Sequence, residues 1–257
     1  MNINEYLRTI ASKLTLSEVE KSGIQTSIET FKQRMCHYFT YDEYFDILDI
    51  SVFGSYDRGT ALPRKADDES DVDIMVVFKD DGSTPQTYLN RIRRAVEKYY
   101  STSEIKQSSP TIVLDMNHIR FEITPAKNWY GSNYIKRNDD WVFTNALDDL
   151  NNLTVANKNN DFLLKPIIRL VKYWNTKLNY KYCPSHEIEK NIVDAFFWPI
   201  YGQRDYKTML LSAFKAIKSL DPIAVSKVIT VFEEAIGDEQ QYPYTSLSKI
   251  KKVIPEL

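Results

Sequence analysis

The run from Asp71 to Phe78, "DVDIMVVF", constrains this chain most, because it sets two carboxylates two residues apart at the head of an apolar strand. Side chains alternate along a strand, so Val72, Ile74, Val76 and Phe78 share one face. Asp71 and Asp73 share the other, with Cβ atoms about 6 to 7 Å apart. Desolvating two like charges at that spacing is costly unless a cation sits between them. A solvated turn before a strand often carries the same pair, but a turn accounts neither for the Gly54-Ser55 pair upstream nor for a third carboxylate downstream. In "IRFEITPA", Ile119, Phe121 and Ile123 fall on one face and Arg120, Glu122 and Thr124 on the other. If the two strands are neighbours, Asp71, Asp73 and Glu122 converge. An all-oxygen ligand set of this kind suits Mg2+ or Mn2+.

The Gly54-Ser55 pair supplies a complementary part. The segment Ile47 to Phe53 reads as a strand ending at Gly54, and "YDRGT" after it reads as a helical turn. Gly54 lets a ligand approach the backbone, while free N–H groups and the Ser55 hydroxyl can hold phosphate oxygens. Ser55 also reads as a helix N-cap, which is compatible with that use. Anion-binding turn, carboxylate pair and third carboxylate together are what metal-assisted phosphoryl or nucleotidyl transfer requires.

Composition narrows the alternatives. With 257 residues, 43% hydrophobic and including 17 Tyr and 12 Phe, the chain can bury a core large enough for one large domain or two lobes. A formal net charge of −2 provides no global basic field, which argues against tight nonspecific binding to a long polynucleotide. Cys36 and Cys183 lie far apart, and His37, His118 and His186 form no metal-binding spacing, so zinc is not expected. Both thiols read as ordinary cysteines, and His37 and His118 as structural or surface residues. No apolar run approaches the roughly 18 residues of a membrane span, and the polar start lacks a signal-peptide design. The expected location is the cytoplasm, with no membrane partner.

Along the chain, Ser17 and Glu20 have capping-box spacing, and Ile24, Ile28, Phe31 and Met35 follow at helical steps. A helix is expected through "YLNRIRRAVEKYY", then a hairpin in "PTIVLDMNHIRFEITPA" turning around Met116 to His118 and stopped by Pro125. Up to about residue 130 the order is that of an α+β lobe. From Asp161 onward the apolar residues recur at helical steps, including "IEKNIVDAFFWPIY", and the C-terminal half reads as a helical lobe. The Asn-rich stretch from 148 to 161 is the expected boundary. Lys165, Arg169 and Lys172 recur on one side of a helix opposite Ile167, Leu170, Val171 and Trp174, a stripe that can be simply the solvated face. Phe196, Phe197 and Trp198 are expected in the core.

The stretches "GSYDRGT", "SDVDIMVVF", "IRFEITPA", "LLKPIIRLVKYWN" and "PSHEIEKNIVDAF", from about residue 45 to 197, resemble the polymerase-beta-type nucleotidyltransferases. Within them they are similar to the bacterial SMODS or CD-NTase branch, related to cyclic GMP-AMP synthase and the oligoadenylate synthetases. The resemblance implies an α+β, bilobal enzyme: a catalytic lobe with a mixed sheet over residues 1–150, a helical lobe over 151–257, and the active site in the cleft between them. Such an enzyme joins NTPs into a short linear or cyclic oligonucleotide second messenger, releasing pyrophosphate, in bacterial antiviral signalling. Carried over residue by residue, Gly54 and Ser55 match the nucleotide-holding turn, Asp71 and Asp73 the shared ligands of two metal ions, and Glu122 the third carboxylate. That last position is often Asp in the branch. Lys172 matches a lysine that contacts the triphosphate and Ser185 a serine near it. His186 stands where better-known relatives carry a base-stacking Tyr. The implied partners are NTP substrates and an activating protein or nucleic acid, with a monomer as the expected state. Two other readings stay open: transfer of a nucleotide to an RNA end or a small-molecule hydroxyl, and a catalytically silent NTP-binding regulatory module.

Overall fold

The computed structural model describes residues 1–40, 47–108, 110–116, 118–137, 140–144, 146–199, 202 and 204–257. Among them the elements run α1 (Ile3–Lys13), α2 (Glu18–Thr40), β1 (Ile47–Phe53), α3 (Gly54–Asp57), β2 (Val72–Lys79), α4 (Pro85–Tyr99), β3 (Glu104–Ser108), β4 (Thr111–Met116) and β5 (Ile119–Trp129). They continue with β6 (Ser132–Arg137), β7 (Asp140–Phe143), α5 (Ala146–Asn159), α6 (Leu164–Leu178), α7 (Ser185–Ala195), α8 (Tyr206–Ala216), α9 (Pro222–Asp238) and α10 (Pro243–Val253). The architecture is α+β. Two compact units divide the chain: Ser17–Asp57 with Glu69–Ala146, and Met1–Leu16 with Arg58–Asp68 and Leu147–Leu257.

The first unit is built on a mixed sheet in the order β1-β2-β5-β4-β3, with β6 pairing β5 and β7 pairing β6. β2 and β5 are parallel, and the other pairs are antiparallel. The capping box of α2 forms as its sequence implies: the Ser17 N–H donates to Glu20 Oε2 at 2.7 Å, and the Glu20 N–H to Ser17 Oγ at 3.2 Å. Ile24, Ile28, Phe31, Met35 and Phe39 of that helix are buried at three- and four-residue steps. Phe31 meets Phe121 of β5 edge-on at 5.7 Å between ring centroids, Phe39 meets Phe78 of β2 at 5.4 Å, and Tyr88 of α4 meets Phe78 at 5.0 Å. Helices therefore cover the sheet face that carries Phe78 and Phe121, and strand alternation turns Asp73 and Glu122 to the other face.

The hairpin extends further than its sequence suggests. Pro125 does not stop β5, which runs on to Trp129. The last β4 pairing is Ile112 with Ile123 and the first β6 pairing is Ala126 with Ile135. Thr124 and Pro125 fall in the gap between those partners, where no ladder donor is demanded on that side, so a proline is tolerated. Asn117, in the expected turn, lies outside the described residues.

The second unit is helical among its described residues, around a core that includes Ile3, Leu7, Leu62, Leu164, Ile168, Trp174, Ile192, Phe214 and Phe232. The Asn-rich stretch from 148 to 161 lies largely within α5, and the two units divide just before it, between Ala146 and Leu147. Its asparagines serve as internal donors: Asn160 Nδ2 donates to the carbonyls of Ala156 and Phe196, both at 2.8 Å. The helix expected to reach Tyr201 ends at Ala195. Phe196 is buried as expected, whereas Trp198 is 76% exposed beyond the helix end and is no core residue; Ile200 and Tyr201 lie outside the described residues. No described helix is long and apolar enough to cross a membrane.

Phe31 is fully buried against β5, so Phe31→Ala should destabilise the protein by about 3–5 kcal/mol through lost burial and a cavity. Urea unfolding followed by circular dichroism measures this. A loss below about 1 kcal/mol would mean that α2 does not hold the sheet through this ring.

Candidate active site

β2 and β5 bring two of the three carboxylates together. In their parallel register Asp73 stands directly opposite Glu122, and Asp71 immediately precedes β2. Burial, then the charges of Asp73 and Glu122, push the Asp71 carboxyl up to about 7, against an opposing pull from Arg120. Arg120 Nη2 lies 3.7 Å from Glu122 Oε1, and Arg120 Nε is buried with no hydrogen-bond partner among the described residues. Among the described residues no three His, Cys, Asp or Glu side chains are already drawn round one point as a cation site. The donors nonetheless fit a hard divalent ion in kind. All are carboxylate oxygens, and the raised Asp71 is the mark of a charge cluster that a cation would relieve.

Gly54 is fixed by the same cluster. Its φ is +71°, a region that side chains other than glycine's rarely adopt, and a Cβ built there would lie 1.8 Å from Asp73 Oδ2. Only glycine lets the α3 turn seat itself against the Asp73 carboxylate. Ser55 follows as the second residue of α3, partly exposed, so the turn and the carboxylates occupy one corner of the sheet unit.

Lys172, in the helical unit, is not on a solvated face. It is 5% exposed and Arg169 is 9% exposed, so two of the three basic residues of that stripe are buried and Lys165 is half-buried. The Lys172 ammonium donates to Glu189 Oε2 at 2.7 Å and to Thr60 Oγ1 at 3.3 Å. Glu189 Oε2 also accepts from Thr60 Oγ1 at 2.6 Å, while Arg58 Nε donates to Glu189 Oε1. Arg169 Nη1 donates to the Gly59 carbonyl at 2.8 Å. Burial acts to raise the Glu189 carboxyl, but the charges of Lys172 and Arg58 and the bonds from Lys172 and Thr60 outweigh it and hold the group down at about 2. This cluster was not read from the sequence, although "DRGT" and "HEIEK" contain its members. No spacing rule connects an arginine at 58 with a glutamate 131 residues later.

Ser185 opens α7 as its first residue, after Pro184, and is exposed. His186 is exposed as well, with its Nε2 3.8 Å from Glu187 Oε1. Both stand three to four residues before Glu189 on the helix that carries it.

Comparison with known proteins gives a consistent result. The family model described as "Second Messenger Oligonucleotide or Dinucleotide Synthetase domain" matches residues 1–157, more than half of the chain. A Bacillus cereus (strain VD146) protein named "Probable cyclic nucleotide synthase" is 27% identical over 212 residues, covering 66% of this chain and 62% of the relative. The chain therefore spans less than two thirds of that relative's length. CdnC of Escherichia coli MS115-1, solved with ATP, superposes with a TM-score of 0.74 at 14% identity, covering 100% of this chain and 98% of that one. The same protein in complex with HORMA gives a TM-score of 0.75 at 14% identity, covering 98% and 97%. At these identities the structural likeness shows the fold.

Glu189→Gln leaves the ammonium of Lys172 and the guanidinium of Arg58 without their shared anion in a buried place. The expected cost is about 3–5 kcal/mol at neutral pH. The native carboxyl is held below its ordinary value of 4.5, so its contribution is complete above that pH and is lost as the pH falls toward about 2. Thermal or urea unfolding at several pH values checks both points: the two proteins should differ most at neutral pH and converge in acid.

Proposed function

This chain belongs to the Second Messenger Oligonucleotide or Dinucleotide Synthetase family, and on that premise we propose that it is a metal-dependent nucleotidyltransferase. It joins NTPs into a short linear or cyclic oligonucleotide with release of pyrophosphate, in bacterial antiviral signalling. The observation that carries the reading is the parallel pairing that sets Asp73 opposite Glu122, with the Gly54 turn seated on Asp73. The ATP in the CdnC structure supports NTPs as substrates, and the HORMA complex of that protein supports a protein as partner.

In this reading Asp71 and Asp73 hold two divalent ions, Mg2+ or Mn2+, and Glu122 holds one of them. When bound, such ions make a ribose hydroxyl more acidic and offset the charge that develops on departing pyrophosphate. Gly54 and Ser55 hold the phosphates of the incoming NTP through backbone N–H groups and a hydroxyl. Glu122, beside the attacking oxygen, receives the hydroxyl proton. Lys172, whose ammonium donates to Glu189 and Thr60, is the residue assigned to the triphosphate. Ser185 and His186, exposed at the start of α7, are assigned to the phosphates and to stacking on a base.

Purified protein incubated with four labelled NTPs and Mg2+ or Mn2+ should yield pyrophosphate and a short, phosphatase-resistant oligonucleotide. Asp71→Asn combined with Asp73→Asn should abolish turnover in a folded protein, since two anionic ligands are lost together. Unchanged activity of that variant would overturn the reading. Product formed only when an RNA or a small-molecule hydroxyl is added would favour transfer to that acceptor instead.

Glu122→Gln should separate the carboxylates by role. It is expected to leave NTP affinity nearly unchanged and to lower the single-turnover rate by two or more orders of magnitude, roughly 3 kcal/mol of transition-state stabilisation. Calorimetry of NTP binding beside rapid-quench kinetics measures both. Equal losses in binding and rate would mean that Glu122 serves the nucleotide rather than the attacking hydroxyl.

A further inference from the structure

Within the helical unit, three successive residues are pinned by one buried polar cluster. The Arg58 side chain and the Thr60 hydroxyl both donate to Glu189, and the Gly59 carbonyl between them accepts from Arg169. Gly59 itself has φ +70°, with Lys165 Nζ 3.6 Å from where its Cβ would stand. So α6 contributes Lys165, Arg169 and Lys172 along one side, α7 contributes Glu189, and the segment they grip has neither helix nor strand structure of its own. Glu189 is 4% exposed, and the bonds to Lys172 and Thr60 use its Oε2 while Arg58 uses Oε1, so both carboxylate oxygens are engaged.

A tether this elaborate exceeds what joining two helices needs. Lys172 alone would neutralise Glu189. The added partners all lie on the chain immediately after α3: Asp57 ends that turn and Arg58 is the next residue. Only Tyr56 and Asp57 lie between Ser55 and Arg58, and at no more than about 3.6 Å per residue the turn cannot move far from a fixed Arg58. In-line transfer tolerates little error, since a misplacement of about 1 Å can cost a hundredfold in rate.

We infer that Glu189, acting through Arg58 and Thr60, is a positioning residue for the Gly54-Ser55 turn. It touches no reacting atom. Its carboxylate fixes the downstream end of the turn, so that the phosphates of the NTP are presented in one geometry rather than several. This rests on the proposed function for its effect on rate, but its effect on the backbone of residues 54–60 is independent of any activity.

Hydrogen exchange by mass spectrometry on the full chain without nucleotide, together with steady-state kinetics, tests it. Glu189→Gln is the direct variant. Arg58→Met is the second, because it removes the part of the tether nearest the turn while leaving the Glu189–Lys172 pair in place, and urea unfolding of the variant confirms that it is folded. Both should speed amide exchange at least tenfold in the peptide covering 54–60, with other peptides of Arg58→Met near their wild-type rates. Both should lower kcat at least tenfold with KM for NTP changed less than threefold, and Arg58→Lys should recover part of the loss. Unchanged exchange at 54–60 in Arg58→Met would overturn the inference. So would uniformly faster exchange along the chain with activity lost only in proportion to the folded fraction. A wild-type protein that turns over no NTP would count against the proposed function, while the exchange result would still decide the role of Glu189.

Discussion

The close placement of Asp71, Asp73 and Glu122 is the constraint around which the sheet unit is arranged. Like charges brought together in a partly desolvated corner destabilise a fold, and the Asp71 carboxyl, pushed up to about 7, registers that cost. Evolution could have removed it with one substitution. The sheet instead supports it: Val72, Ile74 and Phe78 anchor β2 in the core on one face, and Met75, Val77 and Ala126 form a small apolar cluster on the other. β2 is thus buried on both faces beyond Asp73, which leaves the strand little freedom to slip and carry the carboxylates elsewhere. Glycine at 54 belongs to the same arrangement, because any larger residue would collide with the Asp73 carboxylate.

The helical unit meets the opposite problem, buried cations, with a different solution. Lys172, Arg169 and Arg58 are largely withdrawn from water, and a single glutamate neutralises two of them. Apolar residues of similar size would hold the helices as well or better, so the stability of such a cluster does not explain its presence. What apolar residues could not do is fix the direction of an irregular segment through its carbonyl and hydroxyl groups. Inside the helical unit one carboxylate serves two cations, whereas in the sheet unit carboxylates are set beside one another. The first holds the chain, and the second is the feature proposed to take divalent ions.

Much of this could be read from the residues because it is local. Alternation over Asp71 to Phe78 gives β2 and its faces, the Ser17 and Glu20 pair gives the start of α2, and Gly54 marks the turn. Long apolar helices after Asp161 are equally plain. What escaped is set by tertiary partners. Helix α1 carries its own capping box from Asn2 to Glu5, and its Ile3, Tyr6, Leu7 and Ile10 are buried by packing into the helical core. β3, with the pattern "EIKQS", is an exposed edge strand whose only claim to be a strand is its pairing with β4. Pro125 misleads because the exchange of partners from β4 to β6 is invisible without the sheet. The basic stripe of α6 reads as solvated until α7 brings Glu189 to it.

The central claim is that Asp71, Asp73 and Glu122 hold the divalent ions of an NTP seated on the Gly54 turn. A crystal structure with Mn2+ and a non-hydrolysable NTP, with anomalous data collected at the manganese edge, tests it directly. The expected result is anomalous density ligated by Asp71 and Asp73, with Glu122 turned from Arg120 onto one ion and the triphosphate against the N–H groups of Gly54 and Ser55. Manganese bound elsewhere, or a triphosphate held without contact to Asp71, Asp73 or the Gly54 turn, would contradict the account.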